Sequence, residues 1–327
     1  MPIAINKTSN TLPKTLLTPG HRGCAGCGQM IAARLVADTL GPNTIIANAT
    51  GCLEVVTTPY PESSWGLPWI HSLFENAAAV ASGVRAALDY KEAKLPIGSL
   101  ASKRAIKVVA QGGDGGTFDI GFGLISGMWE RGENILYVCY DNEAYMNTGV
   151  QASAATPWAA NTTTTPAGIS PDINGIGSHS IKKDMLAIAL AHGLKYVAQT
   201  TVAYPLDIIK KIKKAMAATG PSYLQILVPC IPGWKIESNQ TIQLAKLAVQ
   251  TGIYPAIEYV NGQLADIMKL PLERPPVENY LKPQGRFKHL FSAKGGSASG
   301  GKDEHGKEQI AYIQKLADLN AKKYNLL

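Results

Sequence analysis

Four cysteines and one acidic loop stand out in this chain for the chemistry their types and spacing could support. Cys24-Ala25-Gly26-Cys27 is a C-x-x-C flanked by glycines. Alone, such a pair can hold zinc, run thiol redox chemistry or hold part of an iron–sulfur cluster. Cys52 follows Gly51, and Cys230 follows Pro229, each just after an apolar, β-rich run. Four thiolates from such loops make a Cys₄ site. The spacing does not match the compact ferredoxin run, and by chemistry alone zinc and [4Fe–4S] both fit. The fifth cysteine, Cys139, lies inside the apolar run LYVCYD and reads as a plain buried thiol. An odd cysteine count in a long chain argues against a disulfide framework.

The second constellation is Gly113-Asp114-Gly115, separated by 26 residues from Asn142. Glycines let backbone N–H groups approach an anion closely. Asp114 cannot bind a phosphate directly, because two anions repel, but a divalent cation between them resolves the conflict. Mg²⁺ takes six oxygens and commonly combines a carboxylate with substrate phosphates. Asn142 offers a neutral amide oxygen, and the carbonyl of Ala144 can complete the protein's share. The simpler reading is a Gly-rich turn with Asp as a helix cap; the spacing to Asn142 at the next strand end shifts the weight away from it.

The elements that must position these residues alternate. Gln29–Leu40 reads as a helix, 44–49 as a strand, 74–90 as a buried Ala-rich helix and 105–110 as a strand. A helix over 120–131 and a strand over 134–140 follow. Residues 151–180, rich in Thr, Ala and Pro, are too long for an ordinary loop and read as functional or as an interface. A helix (184–192), a strand (196–199), an amphipathic helix (205–218) and a strand (223–228) complete the series. This alternation predicts an α/β fold, a mostly parallel sheet with helices on both faces. Ligands in such sheets sit beyond the strands' carboxyl ends, where Gly51-Cys52, Asp114, Asn142 and Cys230 all fall. The division expected is an N-terminal arm (1–20), an α/β domain (21–240) and a C-terminal extension and tail (241–327). The sheet pattern fades after about residue 240. The stretch 293–301 reads as a flexible link and 307–323 as a final helix.

The 327 residues are 46% apolar and only 17% charged, which suggests a chain that hides surface in an assembly. No apolar run reaches membrane-spanning length. The first 17 residues lack a signal-peptide layout, so a cytoplasmic location is expected. Formal charge is 31 − 24 = +7, and from Lys269 onward 11 Lys/Arg face 6 Asp/Glu, so +5 lies in the last 59 residues. No nucleic-acid motif accompanies that charge, and neither a nucleic acid nor a membrane partner is expected.

The Gly-Asp-Gly with Asn142 resembles the thiamine-diphosphate signature, and 141–149 (DNEAYMNTG) fits it closely. Beside that cofactor, zinc would be redox-inert, whereas an iron–sulfur cluster could take electrons from it. Taken together, HRGCAGCG (21–28), NATGCLEVVTTPYP (48–61), PWIHSLFENAAAVASG (68–83), GGDGGTFDIG (112–121) and YDNEAYMNTGVQ (140–151) resemble the beta subunits of the 2-oxoacid:ferredoxin oxidoreductase family, of the pyruvate synthase type. The resemblance spans about residues 15–260.

It implies a diphosphate-type thiamine-binding fold, a [4Fe–4S] cluster on Cys24, Cys27, Cys52 and Cys230, and Mg²⁺ held by Asp114, Asn142 and the Ala144 carbonyl. Gly51, Gly113, Gly115 and Gly116 would lie along the diphosphate, and Asn147 matches a position contacting cofactor or substrate, which makes it the catalytic candidate. The implied reaction is oxidative decarboxylation of a small 2-oxoacid, pyruvate favoured, to acyl-CoA and CO₂ with electrons passing to ferredoxin, or the reverse. The implied partners are a pyrimidine-binding alpha subunit that supplies the cofactor-activating Glu, a ferredoxin-like cluster subunit, a gamma-type subunit, ferredoxin and coenzyme A. Glu54, Glu75 and His71 read as structural here, and Trp65, Trp69 and Trp158 as packing at subunit contacts. The competing readings are another 2-oxoacid such as oxalate or a branched acid, a non-redox thiamine decarboxylase and a zinc-stapled interaction subunit.

Overall fold

The computed structural model describes residues 15–59, 61–94, 106–168, 175–291 and 302–327. Eight strands form one sheet: β1 Thr44–Asn48, β2 Trp69–His71, β3 Lys107–Gly113, β4 Leu136–Asp141, β5 Tyr196–Thr201, β6 Ser222–Leu227, β7 Ile257–Val260 and β8 Gln263–Ile267. Their spatial order is β2-β1-β3-β4-β6-β5-β7-β8. The first six run parallel, and β7 and β8 close one edge antiparallel. The helices are α1 Gly28–Leu40, α2 Cys52–Thr57, α3 Ala77–Glu92, α4 Phe122–Glu130, α5 Met185–Ala191, α6 Pro205–Ala217, α7 Ile231–Trp234, α8 Thr241–Gln250, α9 Glu278–Leu281 and α10 Lys302–Lys323.

Both faces of the sheet are covered, as a near-continuous apolar run such as ILYVCY requires. Alternate residues of β4 supply the two layers. Tyr137 and Cys139 join Val108, Ala110, α3, α4 and α5 on one face. Leu136, Val138 and Tyr140 join Val109, α1 and α6 on the other. A third apolar cluster is built by Trp234, α8, α9, α10 and the 3₁₀ helix Gly285–Phe291.

Several expectations need correction. The sheet does not end before residue 240: β7 and β8 form a hairpin whose turn, Asn261-Gly262, takes φ of 51° and 76°. Positive φ at both central residues is the type I′ geometry that Asn-Gly favours. Strand β2 was not expected; three residues after Pro68 give too little pattern. The helix at 74–90 begins at Ala77, because the Asn76 side chain ties up the preceding turn by accepting from the Leu73 N–H. It is buried on one face only, through Ala77, Ala78, Ala81 and Arg85, while Ala79 and Gly83 face outward. The helix at 120–131 is preceded by a π-helical turn, Gly115–Ile120, closed by the Gly121 N–H on the Gly116 carbonyl at 3.1 Å. The N-terminal arm is not wholly loose: Leu17 is fully buried and bridges Trp65. The expected link at 293–301 lies outside the described residues.

Candidate active site

Strands β1, β3, β4 and β6 are adjacent and parallel, so their carboxyl ends open on one edge. Four loops leave that edge in register. Gly51-Cys52 follows β1, Asp114 follows β3, Asn142 follows β4, and Cys230 follows β6. The C-x-x-C loop reaches the same edge from the start of α1, where the Gly28 N–H donates to the Pro229 carbonyl at 3.3 Å. Only glycine fits there: a Cβ on Gly28 would stand 2.9 Å from Pro229 N.

One cavity at this edge is walled by Gly51, Gly112 to Gly116, Asn142, Ala144 and Asn147. Two of its glycines are required by the backbone or by space. A Cβ on Gly115 would come within 2.3 Å of the Tyr145 ring, and Gly51 has φ 151°, a conformation closed to side chains. Asp114 is fully buried at the cavity floor. Its Oδ2 accepts from Ser153 Oγ at 2.5 Å and its Oδ1 from the Asn142 N–H at 3.3 Å. Burial, and next the neighbouring Asp141 charge, push its carboxyl well above the ordinary range. An anion in that position calls for a cation.

The donors for one are present. The Asn142 side-chain oxygen lies 2.9 Å from Asp114 Oδ1 and 2.7 Å from the Ala144 carbonyl oxygen. Neighbouring oxygens around Mg²⁺, each about 2.1 Å from it, stand about 3.0 Å apart. Three oxygens facing one point repel unless a cation sits among them; turning the Asn142 amide over would replace the cation with two hydrogen bonds. Asp114, Asn142 and Ala144 therefore fit the magnesium expected from the sequence.

A second cavity abuts the first and is walled by Cys24, Cys27, Cys52 and Cys230 together. The four thiols sense one another. Burial, then the charges of Cys230, Cys27 and Cys24, raise the Cys52 thiol to about 12. Burial raises Cys230 to about 12 as well, with Cys27 and Cys24 contributing. Thiolates crowded in this way need positive charge, which iron would supply. No three His, Cys, Asp or Glu side chains among the described residues stand as a group that could hold one metal ion; the thiols are spread around the cavity wall. Cys139 is apart from both cavities, fully buried in the core beneath α4. Gln29, Cys52, Asn142, Met146 and Asn147 belong to both walls, so the two cavities share a partition.

Comparison with known proteins agrees with this geometry. Residues 49–226 match the family model described as "Thiamine pyrophosphate enzyme, C-terminal TPP binding domain". The chain is 50% identical, over 97% of its length and 99% of the relative's, to "Pyruvate synthase subunit PorB" of Methanosarcina barkeri. The chain belongs to the 2-oxoacid:ferredoxin oxidoreductase family, as a beta subunit. The protein of the same name from Methanocaldococcus jannaschii is 54% identical over 93% of this chain and 94% of its own. "Ketoisovalerate oxidoreductase subunit VorB" of Pyrococcus abyssi is 42% identical over 83% and 85%. The fold is shared with a solved "2-oxoglutarate:ferredoxin oxidoreductase" of Magnetococcus marinus, with TM-score 0.52 and 24% identity over 74% of this chain and 83% of that one.

The beta subunit also has site residues that the motifs did not single out. Gln29, 5% exposed, is the second residue of α1 and stands in the shared partition; Met146 lies there too. Ser153 anchors Asp114 from the start of the long 151–180 segment. His71 accepts or donates to Thr50 Oγ1 at 2.7 Å, stacks on Trp69 and stands 4.0 Å from Glu54, so it braces the turn before Cys52. Two of the tryptophans read as subunit-contact residues have hydrogen-bond acceptors inside the chain. Trp65 Nε1 donates to Thr57 at 2.9 Å, and Trp158 Nε1 donates to Gln309 of α10 at 2.8 Å. Both indoles gained an internal acceptor, so no partner is needed to satisfy them.

Proposed function

We propose that this beta subunit holds the diphosphate end of thiamine diphosphate through Mg²⁺ on Asp114, Asn142 and Ala144, and a [4Fe–4S] cluster on Cys24, Cys27, Cys52 and Cys230. In this reading the assembled enzyme decarboxylates pyruvate oxidatively to acetyl-CoA and CO₂, or runs the reverse, with ferredoxin as electron partner. The observation that carries the reading is the shared partition: a cation corner and a four-thiol cavity back onto the same residues. Thiamine diphosphate supplies the electron sink that lets CO₂ leave a 2-oxoacid. The chain's own work is to fix the cation, shape the glycine wall, and hold the thiols next to it. Asn147, exposed and lining both cavities, is the residue this reading assigns to the substrate.

The rim supports a covering subunit. Leu73, next to the wall residue Phe74, is 60% exposed, and Ile120, the last residue of the π-turn that begins in the wall at Gly115, is 50% exposed. Exposed apolar groups together mark an interaction surface. A pyrimidine-binding alpha subunit carrying the activating Glu, a ferredoxin-like cluster subunit and a gamma-type subunit complete the enzyme, which works in the cytoplasm with coenzyme A as acyl acceptor. No helix of the described residues is long and apolar enough to cross a membrane.

The test is an anaerobic absorption spectrum of the assembled enzyme with iron and zinc analysis, followed by turnover with a panel of 2-oxoacids. Because the cluster subunit brings iron of its own, the assembled parent is compared with Cys52→Ala: the variant should hold about four fewer irons per beta subunit, and equal iron in the two, or zinc lost in place of iron, would sink the reading. The likeness to VorB favours a branched 2-oxoacid as second reading, and turnover faster with 2-oxoisovalerate than with pyruvate would select it.

A further inference from the structure

Between the two backbone and side-chain donors of the cation corner stands Glu143. It is 2% exposed and has φ 70°. That left-handed turn is disfavoured for every residue carrying a Cβ. It is also what brings the Asn142 side chain and the Ala144 carbonyl, one residue to either side, to face one point.

The Glu143 carboxylate is gripped at both oxygens. Oε1 lies 3.0 Å from Lys182 Nζ, and Oε2 lies 2.6 Å from Arg286 of the 3₁₀ helix. Its carbonyl accepts from Thr156 Oγ1 at 2.8 Å. Arg286, itself 2% exposed, lies over the Trp234 ring at 3.8 Å. Trp234 Nε1 in turn donates to the Asn142 carbonyl at 2.8 Å. Three distant segments, the one before α5, the short helix α7 and the C-terminal extension, thus converge on the Asn142-Glu143 turn. A buried acid with two cationic partners is expensive to build and is weak evidence for stability. Here it has a geometric result.

We propose that Glu143 is a positioning residue: its clamped carboxylate holds the left-handed turn that aims the Asn142 oxygen and the Ala144 carbonyl at one cation. The inference rests on the magnesium reading above and extends it to residues that touch neither cation nor cofactor.

Glu143→Ala and Glu143→Gly separate this role from simple charge neutralisation. Both remove the same carboxylate from Arg286 and from Lys182, which keeps Asp141 at 2.5 Å, and only glycine accepts the turn freely. The readout is Mn²⁺ affinity of the assembled enzyme in the presence of thiamine diphosphate, followed by the electron paramagnetic resonance of free Mn²⁺, with iron content measured alongside. Glu143→Gly should bind a few-fold more weakly than the parent, and Glu143→Ala on the order of tenfold more weakly again, iron being retained in both. Equal affinities in the two variants would overturn the inference. Should neither variant assemble, Arg286→Met removes one arm of the clamp, and parent-like Mn²⁺ affinity there overturns it equally. Asp114→Ala, run in parallel, keeps the two questions apart. If it loses Mn²⁺ while the Glu143 pair stay equal, only the positioning role fails; if it keeps Mn²⁺, the cation site itself is misplaced and the positioning role falls with it.

Discussion

Asp114 sits fully buried with Ser153 as its one side-chain donor. A hydrogen bond to a charged group contributes about 1.5–3 kcal/mol. Ser153→Ala should therefore raise the Mg²⁺ concentration needed for half-maximal activity by about tenfold or more, read from a magnesium titration, with the cluster spectrum unchanged. Cys139→Ala should leave iron content at the parent level, since that thiol faces α4 and not the thiol cavity; iron loss would mean the ligand set is wrong. Motif residues were legible in the sequence because their chemistry restricts the type: a carboxylate between glycines, thiols beside glycine or proline. Gln29, Ser153 and Glu143 were not. A polar residue that acts by reaching another residue far along the chain leaves no local pattern, and the separation of 39 in sequence between Asp114 and Ser153 shows why.

At the level of elements, the buried strands were readable as apolar runs, and β1, β3, β4, β5 and β6 fall where those runs lie. The edge strands were not. β8 is exposed over Gln263, Leu264 and Ala265, so burial imposes no alternation on it, and β2 has three residues. The Asn261-Gly262 turn was the available signal for the β7–β8 hairpin. The π-turn after Asp114 was hidden too, because its cause is contact: a Cβ on Gly121 would meet the Gly116 and Glu75 carbonyls at 2.2 and 2.6 Å. The α1 entry can be tested by the same logic. Gly28→Ala must push the C-x-x-C loop away from Pro229. Iron content of the purified enzyme should fall well below the parent's, while Mn²⁺ affinity at the Asp114 corner holds; full iron loading would show that the two loops need not touch.

Across the whole molecule, four of the eleven basic residues from Lys269 onward are engaged inside the chain. Arg274 pairs with Asp318, Arg286 with Glu143, and Lys323 with Asp184, and Lys269 binds the carbonyls of Asn325 and Leu327. The C-terminal extension in turn is joined to the catalytic edge through α10, the 3₁₀ helix and Trp234.

The thiol cavity has one more consequence, and it concerns chain topology. Its ligand positions run from Cys24 to Cys230 and enclose more than half the sequence. A cluster bonded to all four would act as a cross-link, shutting a very long loop in the unfolded chain. By the loop-closure relation for disulfides, such a closure is worth about 5 kcal/mol. Iron removal by an anaerobic chelator should then lower the melting temperature by several degrees as well as stop turnover, and air would loosen the fold in the same stroke as it bleaches the colour. An unchanged melting curve would mean that the four loops keep their places without the metal.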